Sequence, residues 1–261
     1  DGCIDFNWVP NQSKNLLVFF TAAVKRTPEQ KLPAFSGTSF VGKVDANILM
    51  ISDPSLELND NLTLAWYAGN EKLKLQPILG RILVDFSVKF GKNKTILYGG
   101  SGGGFASIYY STYIPKAIAV AANPQTNILK YYKRLVKKYF DICFPNYSQI
   151  GKELYDTDVE YDVCDLFSRS ESNLIYLQNL DDTFHIENHL VPFLESQGHK
   201  YIEQDKTTVN NLSDRLTVVY GKGWGEGHSP PPKQLVFCLL NLLCKGLEPT
   251  SIEFKETLER L

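Results

Sequence analysis

The most constraining feature of the sequence is a single serine set among five glycines. The segment reads Tyr98-Gly99-Gly100-Ser101-Gly102-Gly103-Gly104-Phe105, and an apolar run at 95–98 precedes it. Glycine permits close approaches between backbones that any side chain would block. The spacing Gly-x-Ser-x-Gly therefore predicts a strand that turns sharply into a helix, with Ser101 at the tip of the turn.

Short apolar runs alternate with amphipathic or turn-rich segments along the whole chain. The runs lie at 15–20, 46–52, 95–98, 117–122, 174–179 and 216–220. Between the second and third runs, apolar residues recur over 75–90 with the period of a helix. Pro77 lies near the start of this helix, and Gly91 marks its end. Strands separated by helices predict an α/β fold, with a mainly parallel sheet and helices on both faces. We expect one domain over 1–261, with ligands at the carboxyl ends of the strands.

The stretch 127–169 interrupts this alternation and is predicted to be an inserted lid. Its first half contains Lys130, Tyr131, Tyr132, Lys133, Arg134, Lys137, Lys138 and Tyr139. Its second half contains Glu153, Asp156, Asp158, Glu160, Asp162 and Asp165. Cations beside aromatic rings suit an anionic sugar polymer, so Lys133, Arg134 and Lys137 are candidate substrate-binding residues. The alternative is a pair of solvated surface helices of opposite charge.

Ser101 is the candidate nucleophile. The N–H group of Gly102, at the predicted helix start, would stabilise a developing oxyanion. A second donor is expected from the loop after the strand at 15–20, where Ala22 or Ala23 permits close approach. The alternative is a phosphate-binding turn, which we disfavour because no P-loop lysine follows and the dinucleotide spacing of glycines is absent.

A serine hydroxyl needs a base, and His228 stands in a glycine-rich loop near the end of the chain. The acid that orients this histidine should follow a late strand, where Asp181 and Asp182 are both present. We favour Asp182 because a helix beginning there would fix its carboxylate towards the imidazole, which leaves Asp181 as the alternative.

Two further histidines follow these aspartates. His185 and His189 are four residues apart and would share a helix face with Asp182, which raises the alternative of a metal site. We predict no metal, because one aspartate cannot serve both a triad and a metal ion. His185 is instead expected to line the edge of the pocket as a substrate-binding residue, and His189 to be packed or capping.

The sharp strand-to-helix turn at Ser101, called the serine elbow, the aspartate after a late strand and the Gly-x-Gly-His loop together resemble the α/β-hydrolase superfamily over nearly the full chain. More narrowly, residues 98–107, Asn123-Pro124-Gln125-Thr126 and Gln178-Asn179 are similar to a bacterial group associated with surface-glycan synthesis. Related branches are capsule O-acetyltransferases and an accessory secretion protein that O-acetylates glycoprotein sugars. The resemblance implies an esterase or O-acyltransferase that acts on a carbohydrate or small acyl ester, with an acetyl donor as a further partner and no cofactor. The alternative is a non-catalytic glycan-binding or scaffold protein that retains the fold.

Charge and composition exclude other classes of partner. The 27 Lys and Arg residues nearly cancel the 29 Asp and Glu residues, so no overall field favours nucleic acid. The longest apolar stretch, 234–244, is shorter than the ~20 residues that cross a bilayer, so no membrane insertion is expected. The five cysteines lack any C-x-x-C spacing, which favours reduced thiols and, with the bacterial resemblance, the cytoplasm. The sequence leaves the oligomeric state open.

Overall fold

The computed structural model describes residues 3–27 and 29–261. This part of the chain forms one eight-stranded sheet with strand order β1-β3-β2-β4-β5-β6-β8-β7. The strands are β1 (Phe6–Val9), β2 (Asn15–Phe20), β3 (Asn47–Ile51), β4 (Lys94–Gly100), β5 (Ile118–Ala122), β6 (Asn173–Asn179), β7 (Thr208–Asn211) and β8 (Leu216–Gly221).

The sheet is parallel in its centre and antiparallel at both edges. Strands β3, β2, β4, β5, β6 and β8 pair in parallel, which confirms the mainly parallel sheet. Each of the six apolar runs in the sequence became one of these strands. The edge strands β1 and β7 pair antiparallel with β3 and β8. Sequence patterning missed them because they are short and only partly buried.

Helices cover both faces of the sheet, as predicted. The helices are α1 (Leu75–Phe90), α2 (Gly102–Ser111), α3 (Lys133–Cys143), α4 (Pro145–Gln149), α5 (Cys164–Arg169), α6 (Thr183–His185), α7 (Val191–Ser196), α8 (Lys233–Cys244) and α9 (Ile252–Glu259). One apolar layer packs α1, α2, α3, α5 and α7 against the sheet, and the opposite layer packs α8 and α9. Successive β2 residues supply alternate layers, so Leu16 and Leu17 face opposite sides.

Helix α1 has the bounds that its periodicity predicts. Leu75, Leu79 and Leu83 form its buried face. The helix ends at Gly91, whose N–H group donates to the carbonyl of Ser87 over 2.8 Å. No helix in residues 3–27 and 29–261 is long and apolar enough to cross a membrane.

The predicted lid segment, 127–169, is helical only in part. Its basic half forms α3, but its acidic half is mostly irregular, with one 3-10 turn at Leu154–Asp156 before α5. The alternative of two surface helices of opposite charge therefore matches only the basic half. The acidic side chains act as local caps instead: the Glu153 and Asp156 side chains form a reciprocal capping box, and Asp162 accepts from the N–H group of Cys164.

Candidate active site

The serine elbow forms a strained turn between β4 and α2. Ser101 has a φ of 55° and a ψ of −120°, a backbone conformation that costs an L-residue free energy. Glycines are required on either side of Ser101 because neighbouring backbone atoms leave no room for a side chain. A Cβ on Gly99 would lie 2.1 Å from the carbonyl oxygen of Gly103, and one on Gly103 would lie 2.6 Å from that of Thr21. The sequence therefore forces the serine to the carboxyl edge of the sheet at the first residue before a helix.

The Ser101 side chain is bound by an amide that sequence reasoning did not single out as functional. The Nε2 atom of Gln125 donates to Oγ of Ser101 over 2.7 Å. Gln125 is fully buried, and Ser101 is 8% exposed. The signal for Gln125 was its position: it follows β5, the strand beside β4, and so belongs to the same sheet edge as the serine.

The candidate oxyanion donors lie around the start of α2. Gly102 is the first residue of α2, so its N–H group has no acceptor within the helix. Ala22 and Ala23 are exposed in a loop that is anchored on both sides. The N–H group of Thr21 donates to the Tyr67 hydroxyl, and that of Val24 donates to the carbonyl of Thr63. The close approach of Thr21 to Gly103 brings this loop beside the turn.

Asp182 follows β6 and accepts hydrogen bonds from two imidazoles. Its Oδ2 atom lies 2.6 Å from Nδ1 of His228. Nδ1 of His185 lies 3.0 Å from its Oδ1 atom and 2.9 Å from Oδ2. Burial alone would raise the pKa of Asp182, but these hydrogen bonds and the imidazole charges outweigh it and hold the pKa well below its usual range. Asp181, the alternative acid, points elsewhere and pairs with Lys222 at 2.8 Å.

The loop that carries His228 is fixed through its backbone. The side-chain amide of Asn179 donates to the carbonyls of Gly225 and Gly227, over 2.9 and 2.8 Å. The Asn123 amide donates to the carbonyl of Ser229 over 2.8 Å. His228 thereby faces Asp182, but residues 3–27 and 29–261 show no hydrogen bond between His228 and Ser101.

His185 differs from its expected place at the pocket edge. It is fully buried, and its ring stacks on that of His228 with centroids 3.9 Å apart. Its Nε2 atom lies 3.0 Å from Nε2 of Gln125. Asp182 caps α6 and accepts the N–H group of His185, which turns this histidine inward. Burial lowers the pKa of His185, against the hydrogen bond that it donates to Asp182, and the charge of His228 lowers it further.

His189 is also fully buried, and its Nδ1 atom accepts the N–H group of Thr126 over 3.2 Å. Burial, reinforced by the charge of His185, lowers the pKa of His189 to about 3. This histidine is therefore neutral and packed. The group whose ligand atoms converge is instead Asp182, His185 and His228, within 4.8 Å of one another. A metal there would have to replace the protons that both Nδ1 atoms direct at the carboxylate.

The residues of the segment 127–169 near the site divide into aromatic and basic groups. Burial, followed by the neighbouring Tyr132, raises the pKa of Tyr131. Tyr132 is 49% exposed and stacks on Phe184, with centroids 4.3 Å apart. Tyr139, expected on the sugar-facing surface, is buried and donates to the carbonyl of Gly69, so that expectation is wrong.

The basic residues lie at the start of α3. Lys133 and Arg134 are exposed. Lys137 is exposed as well but pairs with Asp141 one turn later, at 2.6 Å. The structure thus leaves two of the three predicted substrate-binding cations of α3 outside any ion pair within the described residues.

Comparison with known proteins establishes the fold. No family model matches the sequence, and no curated protein does. Among solved structures, the capsule O-acetyltransferase of Neisseria meningitidis serogroup A is 13% identical, with 84% of each chain covered and a TM-score of 0.54. A Pyrococcus furiosus esterase is 13% identical over 93% of this chain and 84% of its own, with a TM-score of 0.55. Mycobacterium tuberculosis MPT51 is 10% identical over 93% and 92%, with a TM-score of 0.56. The chain has the α/β-hydrolase fold.

Proposed function

We propose that this chain is a serine-dependent acyl-transfer enzyme, with Ser101 as nucleophile, His228 as general base and Asp182 as the acid that orients it. One observation carries the proposal: a strained serine stands at the end of β4, and a buried aspartate bonded to an imidazole stands at the ends of β6 and β8 along the same edge. A serine at such a turn, followed by a free helix N–H group, matches the chemistry of acyl transfer.

The Asp182 carboxylate sets the protonation of the base. Because it accepts a hydrogen bond from the Nδ1–H group of His228, the Nε2 atom of that imidazole is left as an acceptor. In the reaction the serine O–H group turns to Nε2, which takes the proton while Oγ bonds to the carbonyl carbon of the ester. The carbonyl electrons move to the carbonyl oxygen. The N–H group of Gly102 and one from Ala22 or Ala23 donate hydrogen bonds to this oxygen and stabilise its negative charge. Catalytic hydrogen bonds are often formed only with substrate present, so the missing contact between Ser101 and His228 is compatible with this step.

We propose an ester of a carbohydrate as the substrate class. Support comes from the exposed stack of Tyr132 on Phe184, two residues after Asp182, because aromatic rings offer flat apolar surfaces to sugar faces. The exposed Lys133 and Arg134 directly follow Tyr132 and would attract an anionic polymer. The acyl group passes from Ser101 to water in an esterase, or to a sugar hydroxyl in an O-acetyltransferase. Exclusion of water by the segment 127–169 decides between the two.

Labelling with a fluorophosphonate probe tests the enzymatic function. The probe reacts with activated serines, and peptide mass spectrometry shows which residue carries it. We expect labelling at Ser101 that disappears in Ser101→Ala and His228→Ala and persists in the matched control Asp181→Asn. An unlabelled but folded protein would support the rival function, a glycan-binding protein that retains the fold. The rival has one observation in its favour, since the resting serine is bonded to Gln125 and not to a base.

A substrate screen then resolves the reaction type. Acetyl and longer acyl esters are incubated with the protein, with and without oligosaccharide acceptors. Acyl transfer to the oligosaccharide identifies a transferase, and acid release alone identifies an esterase. A preference for long acyl chains would contradict the carbohydrate substrate and point to a lipase.

A further inference from the structure

The amide of Gln125 is held in one orientation by three contacts. Nε1 of Trp66, which can only donate, lies 3.2 Å from Oε1 of Gln125. The two N–H groups on Nε2 therefore face Oγ of Ser101, at 2.7 Å, and Nε2 of His185, at 3.0 Å. His185 must accept at that nitrogen, which leaves its own proton on Nδ1, opposite Asp182. Every side-chain N–H group of Trp66, Gln125 and His185 thus meets an acceptor.

Trp66 is itself held in a strained conformation. Trp66 and Tyr67 have φ values of 53° and 54°, although neither is glycine. The turn is fixed by the buried Asp53, which accepts the N–H group of Tyr67 over 2.7 Å, and by the Tyr67 hydroxyl, which donates to the carbonyl of Ile51. Two adjacent aromatic residues in this region cost free energy, and such strain concentrates at functional sites. This strained turn places the indole N–H group of Trp66 within hydrogen-bonding distance of Gln125.

We propose that Gln125 is a further catalytic group of this site, whose amide donates to the nucleophile oxygen, and that Trp66 and His185 are positioning residues that orient it. The inference rests on the proposed function. It assigns a donor to the serine oxygen itself, in addition to the donors that face the carbonyl oxygen of the substrate.

The donor would act in both halves of the reaction. When Oγ attacks, its O–H bond breaks and the proton passes to Nε2 of His228, while the N–H group of Gln125 stays on Oγ and stabilises the charge gathering there. The bond from the acyl carbon to the alcohol of the ester then breaks, and His228 gives this proton to the departing alcohol. In the second half, His228 takes a proton from water or a sugar hydroxyl, whose oxygen bonds to the acyl carbon. The bond between Oγ and that carbon breaks, and His228 passes the new proton to Oγ. Gln125 gains and loses no proton. Buried His185 remains neutral beside a protonated His228, because two stacked imidazoles cannot both carry charge, so it keeps its bond to the amide.

Replacing Gln125 tests the role directly. Gln125→Ala removes the donor, and Gln125→Glu keeps the shape and the Trp66 contact but offers no N–H group when ionised. We expect both to slow fluorophosphonate labelling of Ser101 roughly 10- to 100-fold, the range for a hydrogen bond to a charged group. For Gln125→Ala, which adds no charge, the pH at which labelling rises should not move, because His228 and Asp182 are untouched. Gln76→Ala is the matched control: this buried glutamine bonds only the backbone of Glu160, so its loss should leave the labelling rate unchanged.

A double-mutant cycle tests the positioning role of Trp66. Trp66→Phe removes the indole N–H group and should slow labelling several-fold in the wild-type background, but not when Gln125 is already alanine. Additive losses would overturn the positioning role. If the wild-type protein labels at Ser101 and both Gln125 variants label equally fast, the Gln125 inference fails alone. If the wild-type protein does not label at all, the proposed function fails and the inference falls with it.

Discussion

Asparagine at position 182 would separate the chemical role of this residue from its structural one. Asp182 accepts from Nδ1 of both His228 and His185, and from the N–H group of His185. An asparagine has one oxygen and one NH₂ group in place of the two carboxylate oxygens, and the NH₂ group can only donate, so an imidazole that faces it loses its acceptor. That imidazole must then move its proton to Nε2 or lose its bond. If that imidazole is His228, it can no longer take the serine proton.

The expected loss of activity in Asp182→Asn follows from the change in the protonation of His228. A base held in the wrong tautomer lowers kcat by roughly 10⁴-fold in serine enzymes. Because two imidazoles compete for the remaining oxygen, we expect a loss of about 10³- to 10⁴-fold for Asp182→Asn. The fold should persist, since asparagine caps a helix about as well as aspartate. Asp181→Asn breaks only a partly exposed ion pair with Lys222, worth about 1 kcal/mol or less, and should leave the rate unchanged.

The assay compares ester cleavage and the rate of fluorophosphonate labelling for both variants, with thermal unfolding as the control for folding. Retention of more than about a tenth of wild-type activity by Asp182→Asn would refute the reasoning. A large loss for Asp181→Asn would move the acid to that residue.

Three further outcomes are expected. Ser101→Ala and His228→Ala should each abolish ester turnover, with far-UV circular dichroism unchanged, and the double variant should be no worse than either single one. Replacing Lys133, Arg134 and Lys137 of α3 by glutamine should raise KM for an anionic glycan and weaken the salt dependence of that KM. The kinetics on a small neutral ester should not change. The folded-state pKa of His189 is lowered to about 3, so the stability that its neutral form contributes is complete above about 6.5 and is lost as the pH falls towards 3. The loss between pH 7 and pH 4 should be on the order of 3 kcal/mol, and urea unfolding of His189→Gln should show a shallower decline.

Backbone constraints made much of the site predictable from the sequence. Glycines at positions 99 and 103 indicate that other backbone segments pass close to the chain there, so the turn at Ser101 follows from local sequence. The placement of Asp182 and His228 at one edge follows from parallel strands. The position of Gln125 after β5 places it at the same edge, but its orientation could not be predicted, because it depends on Trp66, which is 59 positions away. Periodicity likewise could not tell which side of the short helix α6 would be covered, so the sequence left His185 at a pocket edge.

The two asparagines that hold the His228 loop suggest how such a protein can diversify. Asn123 and Asn179 bind carbonyl groups of residues 225–229, and Asn179 in turn donates its own N–H group to the Asn123 side chain over 2.7 Å. Because the anchors bind main-chain atoms, the exposed side chains of Lys222 and Glu226 can be exchanged without displacing the imidazole. Natural variants, or a library randomised at these positions, could therefore change which substrate this loop contacts, while the positions of His228 and Asp182 stay the same.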